Sequence, residues 1–463
     1  MRVKYLVSFL LMVLIGVSVA GQVLTLKEAV QTALNNYNSI KAKANYLKSS
    51  QATAKQAAAE YFPDFSVGAQ QAWGNANGQF GPVYPTRSLS AGSSGPVSSS
   101  QSWTSTFGAL YVANVNWDFF QFGRMKERTK VAEAEVTQQA YDLEQEKFQH
   151  EVRVAGAYLN LLAAQRLRIS EQRNLERATA LRNVVVTRAK NGLNPGVDSS
   201  QANAEVSSAK ISLTNAIDYE LEQANQLSQL MGIPSQQFML DTFFINRIPN
   251  AYNVPSTLKE DVHPVLKFYQ SRINVSKEQE KYFDRAKYPV FTLFGVFQGR
   301  GSGFHYDYSP TNPDAYTHNY WTGVNPTRSN YLLGVGMTWN ITSTLRVRQQ
   351  VLAQQWTSEG LRNEYDLVDQ QIKGQLALAD QKMQTAIANY TEAPVQVKAA
   401  SDAYLQKSVL YRNGLATIVD LSQALYILNR AETDRDISVN NIWQALLMKA
   451  AASGDFSMFI NEF

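Results

Sequence analysis

Asn191-Gly192-Leu193-Asn194-Pro195-Gly196-Val197-Asp198 returns 222 positions later as Asn413-Gly414-Leu415-Ala416-Thr417-Ile418-Val419-Asp420. At the same offset Gln201-Ala202 becomes Gln423-Ala424 and Trp117 becomes Trp339, so about 85 residues align without a gap. Upstream, Tyr61-Phe62-Pro63 echoes Lys287-Tyr288-Pro289 at a slightly larger offset. Solenoid repeats have periods of roughly 20–50 residues. A unit this long is instead a duplicated domain.

Both copies read in the same order. A helical stretch (about 25–60, then 256–286) leads to Pro63 or Pro289. Two strands follow, at about 64–80 and 104–120 in the first copy and 289–299 and 330–342 in the second, each pair split by a long loop. A very long helical stretch comes next, 124–190 and 346–412. At 1.5 Å per residue each measures roughly 100 Å. The tip turns 191–198 and 413–420 then open a last helix, about 197–231 and 417–452. In the first long stretch Phe148, Val152, Ala155, Leu159 and Leu162 keep the 4-3-4-3 spacing of a coiled-coil seam. In the second, Pro394 predicts a kink or a break. The boundaries that follow are 22–232 for the first repeat, 233–255 for a proline-bearing insertion, 256–453 for the second repeat and 454–463 for a tail.

The strands alternate. Tyr111, Val115, Trp117 and Phe119 share one face, with Asn114, Asn116 and Asp118 opposite. Tyr331, Leu333, Val335, Met337, Trp339 and Ile341 oppose Gly334, Gly336, Thr338 and Asn340. Phe65, Val67, Ala69 and Trp73 also alternate, whereas 290–297 is apolar on both faces. Strands of about ten alternating residues with aromatic ends fit a transmembrane barrel, and a soluble sandwich with one wet face has the same pattern. The loops 81–103 and 299–330 are rich in Gly, Ser and Pro, which suits the outer side of a barrel. Four strands cannot close a barrel, because about eight is the practical minimum. Transmembrane strands would therefore require several chains to share one barrel. Helices of this length then extend as a bundle, and a hollow bundle below an open barrel is a conduit.

Composition narrows the class. Residues 1–21 read as a signal peptide: Arg2 and Lys4, an apolar run from Leu6 to Val19, and small residues allowing cleavage after Ala20 or Gly21. Without Arg2 and Lys4 the net charge falls from +4 to about +2, which gives no nucleic-acid signal. The chain has no cysteine, which removes disulfides, thiolate metal sites and a lipid-anchoring thiol. His150-Glu151 lacks the second histidine of a zinc-protease helix, and His150 is expected on a solvated helix face. His305, Asp307 and His318 are metal-ligand types, but all three fall in an external loop. Gly299-Arg300-Gly301-Ser302-Gly303 opens no helix, so it is a poor phosphate loop. No Walker lysine or serine elbow is present. The sequence offers no enzyme site, cofactor or metal centre. Phe463, which resembles the end of a barrel strand, is separated from the last strand by about 120 mainly helical residues.

With its paired Asn-Gly-Leu turns, each glycine followed six residues later by aspartate, the chain resembles the TolC-like outer membrane factor family over essentially its whole mature length. The resemblance implies a mainly α fold with a membrane β-barrel. Four strands per chain would give a shared 12-stranded barrel in a homotrimer, and the long coiled-coil helices would form a periplasmic tunnel. It implies residence in the outer membrane of a Gram-negative bacterium, contact with outer-membrane lipid, a periplasmic adaptor and an inner-membrane pump of the RND or ABC type. Gly192, Leu193, Asp198, Gly414 and Leu415 would be the adaptor-docking tips, and Asp420, Tyr411 and Gln423 the periplasmic gate. Gln423 stands where the family prototype has a second aspartate ring, and Ala416 stands where it has a locking arginine. Locally the same residues read as caps: the glycines as C-caps and Asp198 and Asp420 as acceptors for free N–H groups at a helix start. A trimeric coiled-coil surface protein or adhesin is the alternative from another class, although matched strand pairs and two Gly-x5-Asp turns do not fit it. A duct for type I protein secretion is the alternative within transport.

Overall fold

The computed structural model describes residues 23–78, 97, 99–250 and 263–462. The expected signal peptide, most of the first strand-connecting loop, positions 251–255 of the insertion, the start of the second repeat and Phe463 lie outside the described residues. The described residues form two compact units, one built from those of 23–49, 137–250, 263–273 and 359–462, the other from those of 50–78, 97, 99–136 and 274–358. No helix among the described residues is long and apolar enough to cross a membrane.

In the second unit a single antiparallel sheet takes the order of the sequence: β1 (Asp64–Asn75), β2 (Ser105–Phe120), β3 (Val290–Ser302) and β4 (Arg328–Thr338). Because β2 pairs with β3, the hairpins of the two repeats fuse into one sheet, in register from Gly108↔Ser302 to Trp117↔Leu293. β1 and β4 are left as edges. The register puts Phe65, Val67, Val115, Leu293, Phe297, Leu333, Val335 and Met337 on one face. Most of these side chains are exposed, as an apolar face turned to lipid would be. The other face carries Ser66, Gln70, Asn114, Gln298 and Asn330, and Ser66 Oγ lies 2.5 Å from Asn114 Oδ1. At the helix end of the sheet the two repeats make the same bond. Trp117 Nε1 donates to Tyr61 O at 2.8 Å, and Trp339 Nε1 donates to Lys287 O at 3.1 Å.

The first unit is helical, and several of its helices run on in sequence into the second. α1 (Leu26–Asn36) and α2 (Asn38–Ala59) precede the sheet. α3 (Arg124–Lys190) and α4 (Gly196–Met231) follow it, and α5 (Phe243–Asn246) lies in the inter-repeat segment. The second repeat contributes α6 (Pro264–Asp284), the short α7 (Tyr320–Val324) between β3 and β4, and then α8 (Ser343–Arg412), α9 (Ile418–Ser453) and α10 (Ser457–Ile460). The 67 residues of α3 contain no proline and the 70 of α8 pass through Pro394 without a break. One missing N–H in so long a ladder leaves the flanking turns intact.

The core lies where α1, the middle of α3, the end of α4, the inter-repeat segment and the end of α9 converge. The expected seam of α3 is inside it, but burial is wider than a seam. Val154, Tyr158 and Leu161 are also fully covered, because α3 meets neighbours on several sides. Tyr158 Oη donates to Leu24 O at 2.9 Å and accepts from Asp241 N–H at 3.2 Å, which ties the inter-repeat segment to the start of α1. Trp443 Nε1 caps the same segment at Arg247 O, 3.0 Å away.

Two expectations are corrected here. The first helical stretch breaks at Tyr37, an extended residue between α1 and α2. His150 is not solvated: it is buried, its ring stacks on Tyr37 at 3.8 Å and its Nε2 donates to Leu230 O at 2.9 Å. Burial holds its pKa below the ordinary imidazole value. The break at Tyr37 is what frees that ring to cover the histidine.

The last helices of the two repeats end alike, on Gly232 (φ 66°) and Gly454 (φ 75°). A Cβ at Gly454 would lie 2.7 Å from the His263 ring and 2.9 Å from its Cα, whereas one at Gly414 (φ 74°) meets nothing within 4 Å. Both sites charge a side chain about 1–2 kcal/mol for the left-handed conformation, but only Gly454 adds a backbone collision. Gly454→Ala should therefore lower the thermal midpoint clearly more than Gly414→Ala, as read by circular dichroism in detergent.

Candidate functional site

The two tip turns have the same backbone. Gly192 (φ 73°) and Gly414 (φ 74°) end α3 and α8 in a left-handed residue. Leu193 N–H returns to Arg188 O at 2.9 Å and Gly192 N–H to Ala189 O at 3.1 Å. Leu415 and Gly414 repeat this with Leu410 and Tyr411 at the same distances. These are the paired bonds of a Schellman cap. Beyond it the side chains of Leu193 (65% exposed) and Leu415 (74%) point into solvent, as do Val197 and Val419 one turn later. Each tip thus presents two uncovered aliphatic residues around a glycine with open space over it.

The aspartates differ, and one residue decides it. Asp420 closes a capping box: its N–H is bound by Thr417 Oγ1 at 3.1 Å, and its Oδ2 accepts from Thr417 N–H at 3.1 Å. Lys407 Nζ approaches Asp420 Oδ1 at 3.5 Å. The Thr417 hydrogen bonds, with the Lys407 charge behind them, hold the Asp420 carboxyl below the usual carboxylate range. In the first repeat the N-cap position is Pro195, which has no N–H to give and makes no side-chain cap. Asp198 Oδ2 accepts instead from Asn194 Nδ2 at 2.7 Å.

Asn194 carries the link between the hairpins. The same amide donates to Tyr411 Oη at 3.1 Å, and Asn194 Oδ1 accepts from Arg188 Nε at 2.9 Å. Arg188 Nη1 also donates to Arg412 O, a free carbonyl at the end of α8, at 2.6 Å. Its guanidinium lies 5.9 Å from the centre of the Tyr411 ring. Tyr411 is 2% exposed and packs with Ile418, Leu421 and Leu425 against Leu181, Val185 and Val206 of the other hairpin. Burial, then the Asp198 charge, raises its phenol above the ordinary value. Of the residues singled out from sequence, Tyr411 and Asp198 are brought together through Asn194. Asp420 caps its own helix, and Gln423 is exposed one turn further along α9. Arg188, Asn194 and Lys407 were not among the expected residues. A cation in the last turn of a helix was a usable signal for Arg188, but its partner in the other repeat was not visible.

The loop residues His305, Asp307 and His318 do not converge. Asp307 accepts from Asn312 Nδ2 at 3.0 Å, and His318 lies against Trp73 and Tyr316 at 5.4 and 5.1 Å. Among the described residues no group of three or more potential ligands could hold a metal ion.

One four-stranded sheet with an exposed apolar face and two copies of a hairpin of very long helices make up the fold that the comparisons match. Residues 29–233 match the outer membrane efflux protein family. The fold is similar to that of the outer-membrane channel OprN (15% identity, TM-score 0.72, 93% of this chain and 89% of that one). It is also similar to VceC from Vibrio cholerae (17% identity, TM-score 0.71, 93% and 96%) and to CusC (12% identity, TM-score 0.75, 93% and 92%). No curated protein matches the chain in sequence. The chain has the fold of these TolC-like channels, and residues 29–233 are similar to the outer membrane efflux protein family.

The cap chemistry makes a pH prediction. Asp420 has a lowered pKa, so the carboxylate half of the box is fully present above the ordinary carboxylate value of 3.8 and is lost as pH falls through the lowered one. Near neutrality Thr417→Ala should remove about 1 kcal/mol of cap, seen as roughly fivefold faster amide exchange in the first turn of α9. Acidification through the lowered Asp420 pKa should narrow but not abolish the difference between variant and parent, because Thr417 Oγ1 still accepts from the Asp420 N–H.

Proposed function

We propose that this chain is the outer-membrane component of a tripartite efflux assembly, a passive duct and not an enzyme. It works as a homotrimer with a periplasmic adaptor and an inner-membrane pump of the RND or ABC type. The observation that carries the reading is the sheet with two open edges. Four strands in the order β1-β2-β3-β4 leave β1 and β4 unpaired, and three copies joined edge to edge give twelve antiparallel strands. The division into a signal peptide (1–21), repeats 22–232 and 256–453, insertion 233–255 and tail 454–463 belongs to the same proposal. In detergent the protein should sediment as three chains. A stable monomer that keeps its β signal would refute the duct.

Gly192, Leu193, Asp198, Gly414 and Leu415 form the docking tips in this reading. Their uncovered leucines and open glycines suit close approach by an adaptor's helical hairpin. Gly414→Trp should abolish export while leaving the trimer assembled.

The gate is Tyr411 with Asp420 and Gln423. The bonds from Asn194 and Arg188 that tie the first hairpin to Tyr411 and Arg412 support a closed tip. Tyr411→Phe removes one neutral hydrogen bond, worth about 0.5–1.5 kcal/mol, and Arg188→Ala removes a second. Trimers of the double variant in planar bilayers should open more readily than the parent. Unchanged opening would mean that the lock lies elsewhere.

A further inference from the structure

Three positions on the apolar face of the sheet, all near its loop end, carry little or no side chain: Ala109, Gly299 and Gly301. The bay they leave is filled by α7. A Cβ on Gly301 would lie 2.6 Å from Gly323 O, and a Cβ on Gly323 would lie 2.5 Å from Phe107. Tyr111 Oη donates to Val324 O at 3.2 Å, and Tyr320 Oη donates to Gln71 Oε1 at 2.8 Å. Ala109 is left 8% exposed. Gln71, Phe107 and Tyr111 all belong to the apolar face by register. The β3–β4 connection is therefore laid down that face.

Its composition is split to match. Phe304 and Tyr316 bridge the arms of a small hairpin whose far part carries Asp307 and Asp314. The returning arm, 315–327, contains no Asp, Glu, Lys or Arg. α7 buries Gly323 and Val324 against the sheet, while Trp321 stays 76% exposed. Below it, the exposed Tyr331, Leu333 and Val335 continue the same apolar band. An indole at the edge of such a band has an apolar ring for the acyl region and an N–H for the headgroups, the combination that enriches tryptophan at membrane boundaries.

We propose that α7 is an in-plane anchor in the outer leaflet, with Trp321 inserted among lipids at the headgroup–acyl boundary and the acidic hairpin end held in water. This rests on the reading of the sheet as membrane-spanning, and the occupant is lipid because Trp321 continues the face that lipid already covers. The connection thereby fixes the depth of the barrel instead of covering its mouth.

The chain has no cysteine, so single nitroxide labels can be placed without removing any. Trp321→Cys, Leu333→Cys and Asp314→Cys trimers, each labelled and reconstituted in phospholipid vesicles, would be compared for relaxation by oxygen, which partitions into lipid, and by a water-soluble nickel chelate. The anchor requires that position 321 lose nickel accessibility relative to 314 and gain oxygen accessibility, at a depth shallower than 333. Nickel accessibility at 321 equal to that at 314, with 333 in lipid, would overturn the anchor alone. So would a label at 321 shielded from both reagents, which would place a neighbouring copy over Trp321. A nickel-accessible 333 would overturn the membrane-spanning reading together with it.

Discussion

Two rows of backbone N–H and C=O groups, along the outer edges of β1 and β4, have no strand partner among the described residues. In water such edges are tolerable. In hydrocarbon each unsatisfied group costs several kcal/mol, so a sheet that enters a membrane must close. A second copy of the same chain is the partner most directly matched to these edges. With an even number of strands, β4 of one copy and β1 of the next run antiparallel, as the rest of the sheet does, so closure adds no new kind of pairing. Twelve strands in the proposed trimer also exceed the practical minimum of about eight, leaving an interior wider than its side chains can fill. The polar residues of the inner face then line a passage.

Duplication explains why the parts fit and where they differ. Trp117 and Trp339 solve the same anchoring problem with the same bond, and Gly232 and Gly454 close equivalent helices against Asn36 and His263. The tips share their Schellman caps, but the exchange of Pro195 for Thr417 divides their labour. Thr417 offers an N–H and a hydroxyl, so Asp420 is spent on capping. Pro195 offers neither. Asp198 is free to anchor Asn194, and Asn194 is thereby aimed at Tyr411 of the other hairpin.

The long helices were legible because nothing in them competes with the helix: one glycine and no proline in α3, and a single proline in α8 too weak to end it. The strands were legible because a sheet with one apolar and one polar face imposes a period of two. The tip glycines stood out because a repeat displays them twice. What escaped depends on lateral packing. The burial of His150 needs the break at Tyr37, and Tyr37-Asn38 carries no strong stop signal. The contacts of Arg188 with Arg412 and of Asn194 with Tyr411 join residues of different repeats, and no local spacing encodes how two hairpins lie against each other. The path of the β3–β4 connection was hidden for the same reason. Its Gly, Pro and polar content speaks of an external loop, and only the register shows that Ala109, Gly299 and Gly301 form a seat.

Charge sets the balance at the proposed gate. Three Asp420 carboxylates gathered at a tip would repel by about 1 kcal/mol per pair at 4 Å in bulk-water dielectric, and more where water is excluded. Within each chain Lys407 already stands 3.5 Å from this carboxylate, so the field it projects is that of a partly neutralised pair. Ala416, packed against the apolar cluster that includes Tyr411, contributes no charge at the position where the family prototype places a locking arginine. In the proposed gate, cohesion thus shifts from ion pairing between charged side chains to the hydrogen bonds and apolar contacts that join the two hairpins of one chain. Those bonds join a buried phenol, an amide and a backbone carbonyl, with the Arg188 guanidinium as the one charged donor and neutral acceptors opposite it, so salt screens them less than an ion pair. A tip closed this way should hold its resting state across ionic strengths that would loosen a salt-bridged one.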